Sequence, residues 1–340
     1  MDKLRAGIVG FGGMGQRHYR AYQGTGCEVV AICEFVLERV VGYLPDFPRN
    51  RIYSHYADLL RNEKLDMLSV VSNGPTHAEI TAAAVQAGIG RVFCEKPVAT
   101  NLKEAERLAE TIRHYGARVA VNHLRRWSGA YRRIKALIRE GVIGELRHIY
   151  FQCGSTGLGN FVIHAFDLMR FLSDSEAGWA IGMLDKTGTP NPRGLQFRDP
   201  AGYGMVVFRN GLRCFVDSSE DTGIPYLYVL AGTYGRIVID ELAGSWQVFT
   251  RPPEMRAEKL TRYGTPLAPV PFGGGVYDIV ELTHNGLVEL VGDGPLSCTV
   301  EDGIRSLEIV MAFHESEARG NARVELPLSG AARERVVEIA

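Results

Sequence analysis

The stretch GIVGFGGMGQRH, Gly7 to His18, carries Gly10-x-Gly12-x-x-Gly15 where an apolar strand pattern gives way to a helical one. Glycines at these spacings permit a tight turn and let backbone N–H groups and a helix amino terminus close on a pyrophosphate. Three glycines also occur in ordinary turns, so the context decides. About 20 residues on, the pattern CEVVAICE ends in Glu34, where a dinucleotide fold places an acid on the adenosine ribose. Gly10, Phe11, Gly12, Gly13, Met14 and Gly15 would then form the cofactor cradle. Glu34 can accept from both ribose hydroxyls and would repel a 2′-phosphate by several kcal/mol at contact, at an effective dielectric of ~20. No Arg follows it directly, so the expected cofactor is NAD(H) rather than NADP(H).

Outward from this stretch, strand and helix alternate. RAGIVGF, CEVVAICE, MLSVVSN, RVFCEKP and RVAVNH read as buried strands, with helical patterns GQRHYRAYQ, HAEITAAAVQAG and LKEAERLAETIRHYG between them. That rhythm predicts a parallel, doubly wound sheet. After about residue 122 it changes: YRRIKALIREG reads as a helix, ELRHIYFQC as a strand, and mostly strands follow. GYGMVVF and LRCFVD form an expected hairpin around Asn210-Gly211, with both turn residues at positive φ. YLYVLAG, RIVIDE and WQVFT extend the series, residues 252–275 read as a long loop, and helices near 277–291 and 301–319 precede a last strand, RVELPL. The expected fold class is α/β: an N-terminal Rossmann domain over residues 1–122, and over 123–340 an α/β domain with a large, mostly antiparallel open sheet.

Composition narrows the function classes. A chain of 340 residues is long for one core, which favours two domains. Its apolar fraction of 46% and charged fraction of 23% are those of an ordinary globular protein. A net charge of -1 gives no basic footprint for nucleic acid, and no Lys/Arg cluster suggests a membrane surface. No apolar run approaches the roughly 18 residues of a membrane span, and the amino terminus enters a strand pattern without a secretory apolar region. Six scattered cysteines, without metal-ligand spacing, suggest a reduced, cytoplasmic protein with no structural zinc or other metal.

A second stretch raises the question of chemistry. GNFVIHAFDLMRFL, Gly159 to Leu172, is core-like, yet Asn160, His164 and Asp167 interrupt it at the spacing that stacks side chains on one helix face. Each unpaired buried polar group costs on the order of 1–3 kcal/mol. The stripe therefore faces either polar neighbours, as a satisfied core histidine would, or a cavity for a ligand. At the end of the fourth main strand stands CEKP, Cys94 to Pro97. Strand carboxyl ends are where such sheets bind ligands, and Pro97 biases Lys96 away from helical geometry.

Taken in order, Gly10-x-Gly12-x-x-Gly15, SNGPTHAEITAAAVQAG, CEKP, IGELRHI, His164-x-x-Asp167 and VEDGIRSLEIVMAFHESEARG resemble the glucose–fructose oxidoreductase / inositol dehydrogenase / rhizopine-catabolism (Gfo/Idh/MocA) family over nearly the whole chain. The resemblance implies an NAD(P)-dependent oxidoreductase acting on a sugar, cyclitol or related polyol. It also implies a homodimer or homotetramer joined through the C-terminal sheet. It puts Lys96 beside the nicotinamide and the reacting oxygen, matches His164 to the catalytic histidine, and places Ser72, Asn73, Pro75, His77 and Glu95 among the cofactor contacts. Two places depart from the pattern. The acid usual one turn before the histidine is Asn160, with Val162 in place of Gly, and the usual Pro-Asn tip of the third strand reads Asn73-Gly74.

Oxidising a secondary alcohol needs a proton acceptor on the hydroxyl and a hydride acceptor opposite the C–H bond. An imidazole, with an ordinary pKa of about 6.5, makes His164 the expected general base or acid. Lys96 would stabilise the developing alkoxide. Asn160 would accept a proton from His164 or contact a substrate hydroxyl, and Asp167 would orient His164 or bind substrate. In NHLRRW, Asn122, Arg126 and Trp127 are candidate substrate contacts: Arg126 for an anionic group and Trp127 for a sugar ring, or else an exposed Arg and a packed Trp. Tyr226, Tyr228, His284 and Asn285 either line the cleft or pack. Two alternatives stand beside the dehydrogenase: an NAD-using glycosidase with transient redox, and a non-catalytic NAD or sugar sensor.

Overall fold

The computed structural model describes residues 3–154, 157–185, 188, 194, 196–258, 266–275 and 277–339. The chain opens with β1 (Leu4–Val9), α1 (Gly13–Ala21), β2 (Cys27–Cys33) and α2 (Leu37–Tyr43). There follow β3 (Ile52–Tyr53), α3 (Tyr56–Asn62), β4 (Met67–Val70), α4 (Gly74–Gln86), β5 (Arg91–Cys94), α5 (Leu102–Tyr115) and β6 (Arg118–Val121). The strands pair in parallel in the order β3-β2-β1-β4-β5-β6. The two-residue β3 and the helices α2 and α3 fall where the sequence shows no long periodic run. Helix ends follow local chemistry: the Asn101 side chain accepts from Glu104 N at 2.9 Å, and Gly116 at φ +67° closes α5.

Register decides what stands at the carboxyl edge. Val9 pairs with Cys33 and with Val70, Val70 with Cys94, and Cys94 with Val121. The next residues, Gly10, Glu34, Val71, Glu95 and Asn122, therefore form one row. Five bonds continue the ladder into that row, among them Gly10 N to Cys33 O at 2.8 Å and Glu95 N to Val70 O at 2.9 Å. The sheet order reverses at β1, flanked by β2 and β4, which is the crevice where such sheets bind ligands.

Beyond lie α6 (Gly129–Arg139), β7 (Leu146–Gln152), α7 (Ile163–Ser173), β8 (Ala177–Leu184), β9 (Gly202–Phe208), β10 (Arg213–Asp217), β11 (Leu227–Gly232), β12 (Gly235–Asp240), β13 (Ser245–Thr250) and β14 (Ala268–Val270). The chain ends with α8 (Ile279–Val291), α9 (Val300–Ala318) and β15 (Val324–Glu325). A nine-stranded sheet runs β14-β13-β12-β11-β7-β10-β9-β8-β15, antiparallel except where β10 lies parallel to β7. One face, with Val206, Cys214, Phe151 and Leu230, is buried; the other carries the exposed Tyr203 and Phe215. At the β9–β10 turn only Gly211 has positive φ, at +84°, and Asn210 instead accepts from Leu212 N through its side chain. The expected loop at 252–275 contains a 3-10 turn, Pro253–Met255, and β14; residues 259–265 lie outside the described residues.

Two departures from the expected organisation bear on the site. The polar-stripe helix does not start as an α-helix: Leu158–Val162 is a π turn, with Phe161 N and Val162 N both bonded to Gly157 O, and α7 follows. The chain also returns to the first sheet. Val121 N bonds Cys298 O at 3.2 Å, Ala120 bridges to Thr299, and His284 of α8 pairs with Ala21 O of α1.

Candidate active site

The glycine loop has two kinds of glycine. A β-carbon at Gly10 would overlap the Val71 backbone, and one at Gly15 would overlap Gly10 O, so these two let the turn and α1 pack closely. Gly12 and Gly13 have nothing within 4 Å of such a carbon. The protein does not need them small; a ligand backbone lying on the α1 amino terminus does. The residues thus fit a bound dinucleotide. Glu34, 5% exposed, accepts from Phe11 N at 2.8 Å and from Val36 N at 3.1 Å, which fixes its carboxylate beside the loop. An arginine does reach it, contrary to the expectation from the adjacent sequence: Arg39 Nη1 lies 3.2 Å from Glu34 Oε1, because one turn of α2 brings residue 39 back to the strand end.

Behind the CEKP segment lies a buried polar chain. Glu95 accepts from Asn122 Nδ2 at 2.7 Å and faces His18 Nε2 at 3.1 Å; His18 Nδ1 meets Ser69 Oγ, which meets Tyr22 OH. Burial pushes the Glu95 carboxyl up, but His18, Lys96 and Asn122 outweigh it and hold it at about 2. Asn122 and Glu95, expected as substrate and cofactor contacts, are instead bonded to each other. His77 is likewise redirected. Its ring nitrogens lie 2.7 Å from Pro97 O and 2.8 Å from Ser72 O, so it joins the third-strand tip to the lysine loop. Burial lowers its pKa, against the pull of the two carbonyls.

Lys96, 6% exposed, crosses to the second half of the chain, where Nζ donates to Asn160 O at 2.6 Å. Asp199 holds the same turn through Gly159 N at 2.8 Å and Asn160 N at 2.7 Å. His164, half-buried and four residues on, meets the His123 ring edge-to-face at 5.3 Å between centroids. His123 is 1% exposed and neither ring nitrogen has a hydrogen-bond partner; burial pushes its imidazole down to about 4, and Lys96 and Arg126 add to that.

Asp167 and Arg126 prove to be partners of one another. Arg126 donates through Nε and Nη2 to the two Asp167 oxygens at 2.8 Å each, and Arg170 and Ser306 also reach Oδ1. Burial raises the Asp167 carboxyl, but His123 and Arg126 hold it at about 2. Neither the acid nor the guanidinium is left for a ligand. Trp127 is 2% exposed, tilted against Phe93 at 5.5 Å, and donates to Glu289 at 3.1 Å, so it packs and does not stack on a sugar. Asn285 faces Trp127 O and His284 is bound to α1, which removes both from the cleft.

The sequence reading missed Arg125. It forms a two-bond pair with Glu241 at 2.8 and 2.6 Å, Tyr131 OH donates to the same acid, and the Tyr226, Tyr228 and Tyr277 rings surround the guanidinium at 5.1–5.7 Å. Tyr226 stacks on Phe161, 41% exposed, which continues this aromatic wall to the turn that holds Lys96. The signal for Arg125 was the first of two adjacent arginines in NHLRRW, which competes with the second, Arg126, for attention. Among the described residues no group of His, Cys, Asp and Glu could hold a metal ion, and no described helix is long and apolar enough to cross a membrane.

Comparison with known proteins bears on the fold and the family. Residues 4–123 match the model of an oxidoreductase family with an NAD-binding Rossmann fold. Inositol 2-dehydrogenase of Salmonella typhimurium is 34% identical over 187 residues, 51% of this chain and 55% of that enzyme. The chain thus spans about half the length of the curated relatives it matches first. Inositol 2-dehydrogenase of Acidothermus cellulolyticus is 32% identical over 238 residues, 66% of this chain and 68% of that enzyme. Among solved structures, an inositol dehydrogenase homologue from Azotobacter vinelandii, complexed with NADH and myo-inositol, superposes with a TM-score of 0.78 at 18% identity, covering 95% of this chain and 98% of that one. A levoglucosan dehydrogenase complexed with NADH and L-sorbose gives 0.77 at 19%, covering 97% and 100%. At such identities the likeness concerns the fold. The glycine cradle, the acid at the end of β2 and the matched relatives together show that the chain belongs to the Gfo/Idh/MocA family of oxidoreductases with an NAD-binding Rossmann fold.

Proposed function

We propose that the protein is an NAD-dependent dehydrogenase or ketoreductase that acts at a secondary alcohol or ketone of a cyclitol, sugar or sugar derivative. One observation carries this reading: Lys96 leaves the carboxyl edge beside the glycine cradle and is held, at 2.6 Å from Asn160 O, on the turn that leads to His164. Bound nicotinamide supplies the hydride acceptor. His164 takes the hydroxyl proton during oxidation and returns it during reduction. Lys96 donates to the oxygen as its charge develops, a contact that counts most in a dry site. Glu95, buried next to it, has its carboxyl held well below the ordinary range by His18, Lys96 and Asn122, and His77 holds the following carbonyl. Asn160 contributes its backbone to Lys96. The relatives named inositol 2-dehydrogenase make a cyclitol the first substrate to try. Six buried, unbridged cysteines suit a reducing, cytoplasmic setting. The exposed sheet face suits a homodimer or homotetramer.

The test is turnover of a cyclitol and sugar panel with NAD, read as reduced nicotinamide. Lys96→Ala should lower kcat/KM by about 10²–10³-fold, the usual loss of one donor to a developing oxyanion, while NADH still binds by fluorescence titration. Equal turnover in that variant removes Lys96 from the reaction. Glycoside cleavage without net NADH would favour the glycosidase, and tight NADH binding without any turnover would favour the sensor.

A further inference from the structure

Residues Val337–Ile339 run between the two halves of the site. Val337 N donates to Thr100 O at 2.9 Å, Glu338 bridges to Arg198, and Ile339 is fully buried. The Ile339 side chain covers Gly159 so closely that a β-carbon there would overlap it. On the opposite side, a β-carbon on Gly74 would lie 3.1 Å from Ile339 O and 3.3 Å from the Pro97 ring. Ile339 therefore sits in a notch bounded by the third-strand tip, the residue after Lys96 and the residue before Asn160. Ion pairs of Arg333 with Glu106, Glu334 with Lys103 and Arg335 with Glu315 anchor the preceding residues to α5 and α9. Arg198 is next to Asp199, the carboxylate that holds the amides of Gly159 and Asn160.

We propose that Val337–Ile339 is a strap that sets the position of Lys96 relative to His164, with Ile339 as its positioning residue. Both elements that it separates carry a reacting group nearby in sequence; the Ile339 side chain fills the room a β-carbon on Gly159 would need, and its carbonyl does the same at Gly74, which borders Pro97. The strap acts through Gly159, the residue before Asn160, and through Gly74, which lies against the residue after Lys96. Displacements near 1 Å can cost on the order of 10²-fold in rate. This inference rests on the dehydrogenase reading above.

The experiment compares Ile339→Ala, Ile339→Val and, as a surface control, Val336→Ala, since Val336 is 62% exposed. Ile339→Ala should lower kcat by at least about 10-fold and leave the NADH dissociation constant within about twofold. Ile339→Val, which keeps most of the volume, should recover most of the rate, and Val336→Ala should match wild type. Unchanged kcat in Ile339→Ala overturns the proposal. So does a loss of rate and NADH binding together, in proportion to the unfolded fraction seen by circular dichroism. If the wild-type protein turns over no polyol, the dehydrogenase reading fails, and hydrogen exchange still judges the strap. Faster exchange at the amides of Gly159–His164 in Ile339→Ala than in Val336→Ala upholds it; equal exchange overturns it.

Discussion

Glu34 shows how one residue's partners change a specificity argument. Alone, its carboxylate would repel a 2′-phosphate strongly, but Arg39 at 3.2 Å supplies a compensating charge. The Arg39 side chain is about half exposed, so solvent screens it and its net effect is nearer ~1 kcal/mol than the bare Coulomb value. Arg39→Ala should therefore weaken NADPH binding about fivefold and leave NADH binding nearly unchanged, measured by fluorescence titration of both cofactors. Equal NADPH affinity in the two proteins would show that Arg39 does not reach the phosphate. The cradle and Glu34 were legible in the sequence because their geometry is local: a strand, a turn and a helix start within a few residues. Arg39 was not, since adjacency in sequence is the wrong measure for a residue one helical turn away. For Arg126 and Trp127 the sequence left ligand contact and packing both open for a related reason. Residue type says that a guanidinium wants an anion, but not whether the anion is a ligand or Asp167, 41 positions along the chain.

At the scale of elements, the stripe on Asn160, His164 and Asp167 divides into three different jobs. A π turn shifts Asn160 out of α-helical register, so its backbone, with Asp199, holds the Lys96 end. His164 faces the His123 ring, and Asp167 turns to a buried cluster with Arg126 and Arg170. Periodicity detected that polar groups were gathered there, and polar neighbours, one of its two alternatives, are present at Asp167. What periodicity lacks is the rotation that a π turn adds. The cluster makes a stability prediction. Removing one partner of a buried pair leaves the other charge uncompensated and costs about 3–5 kcal/mol. Asp167→Asn should lose stability of that order in urea unfolding at neutral pH, because Arg126 and Arg170 remain. The sign with pH follows from the depressed carboxyl: an ordinary Asp titrates at 3.8 and Asp167 at about 2, so its contribution is complete above about pH 4 and is lost as pH falls toward 2. A variant as stable as wild type would return Asp167 to the list of candidate ligand contacts.

At the scale of the whole molecule, the described residues cover the nine-stranded sheet on one face only. Register places Trp179, Met183, Tyr203, Met205, Phe215 and Tyr150 together on the other, and Tyr203 and Phe215 are 44% and 39% exposed. Strand alternation alone would have allowed a solvated face, with polar residues at these positions. Here the second face carries a group of apolar side chains among polar ones such as Arg213 and Asp217, which the sequence shows as strands such as GYGMVVF with little alternation, and contiguous apolar patches beyond a few hundred Å² mark interaction sites. A second copy of the same sheet is the expected cover, since a two-fold contact is self-complementary. Light scattering on the wild-type protein should then give a dimer or tetramer mass. Phe215→Arg, at the centre of β10, should lower that mass toward the monomer, because two-fold symmetry brings two cations into one buried interface. The inner face, with Cys214 and Val216 on the same strand, is untouched by this change, so the monomer should keep its fold and bind NADH. A wild-type protein that is monomeric throughout its concentration range, or a Phe215→Arg protein of unchanged mass, would show that this face meets something other than its own copy.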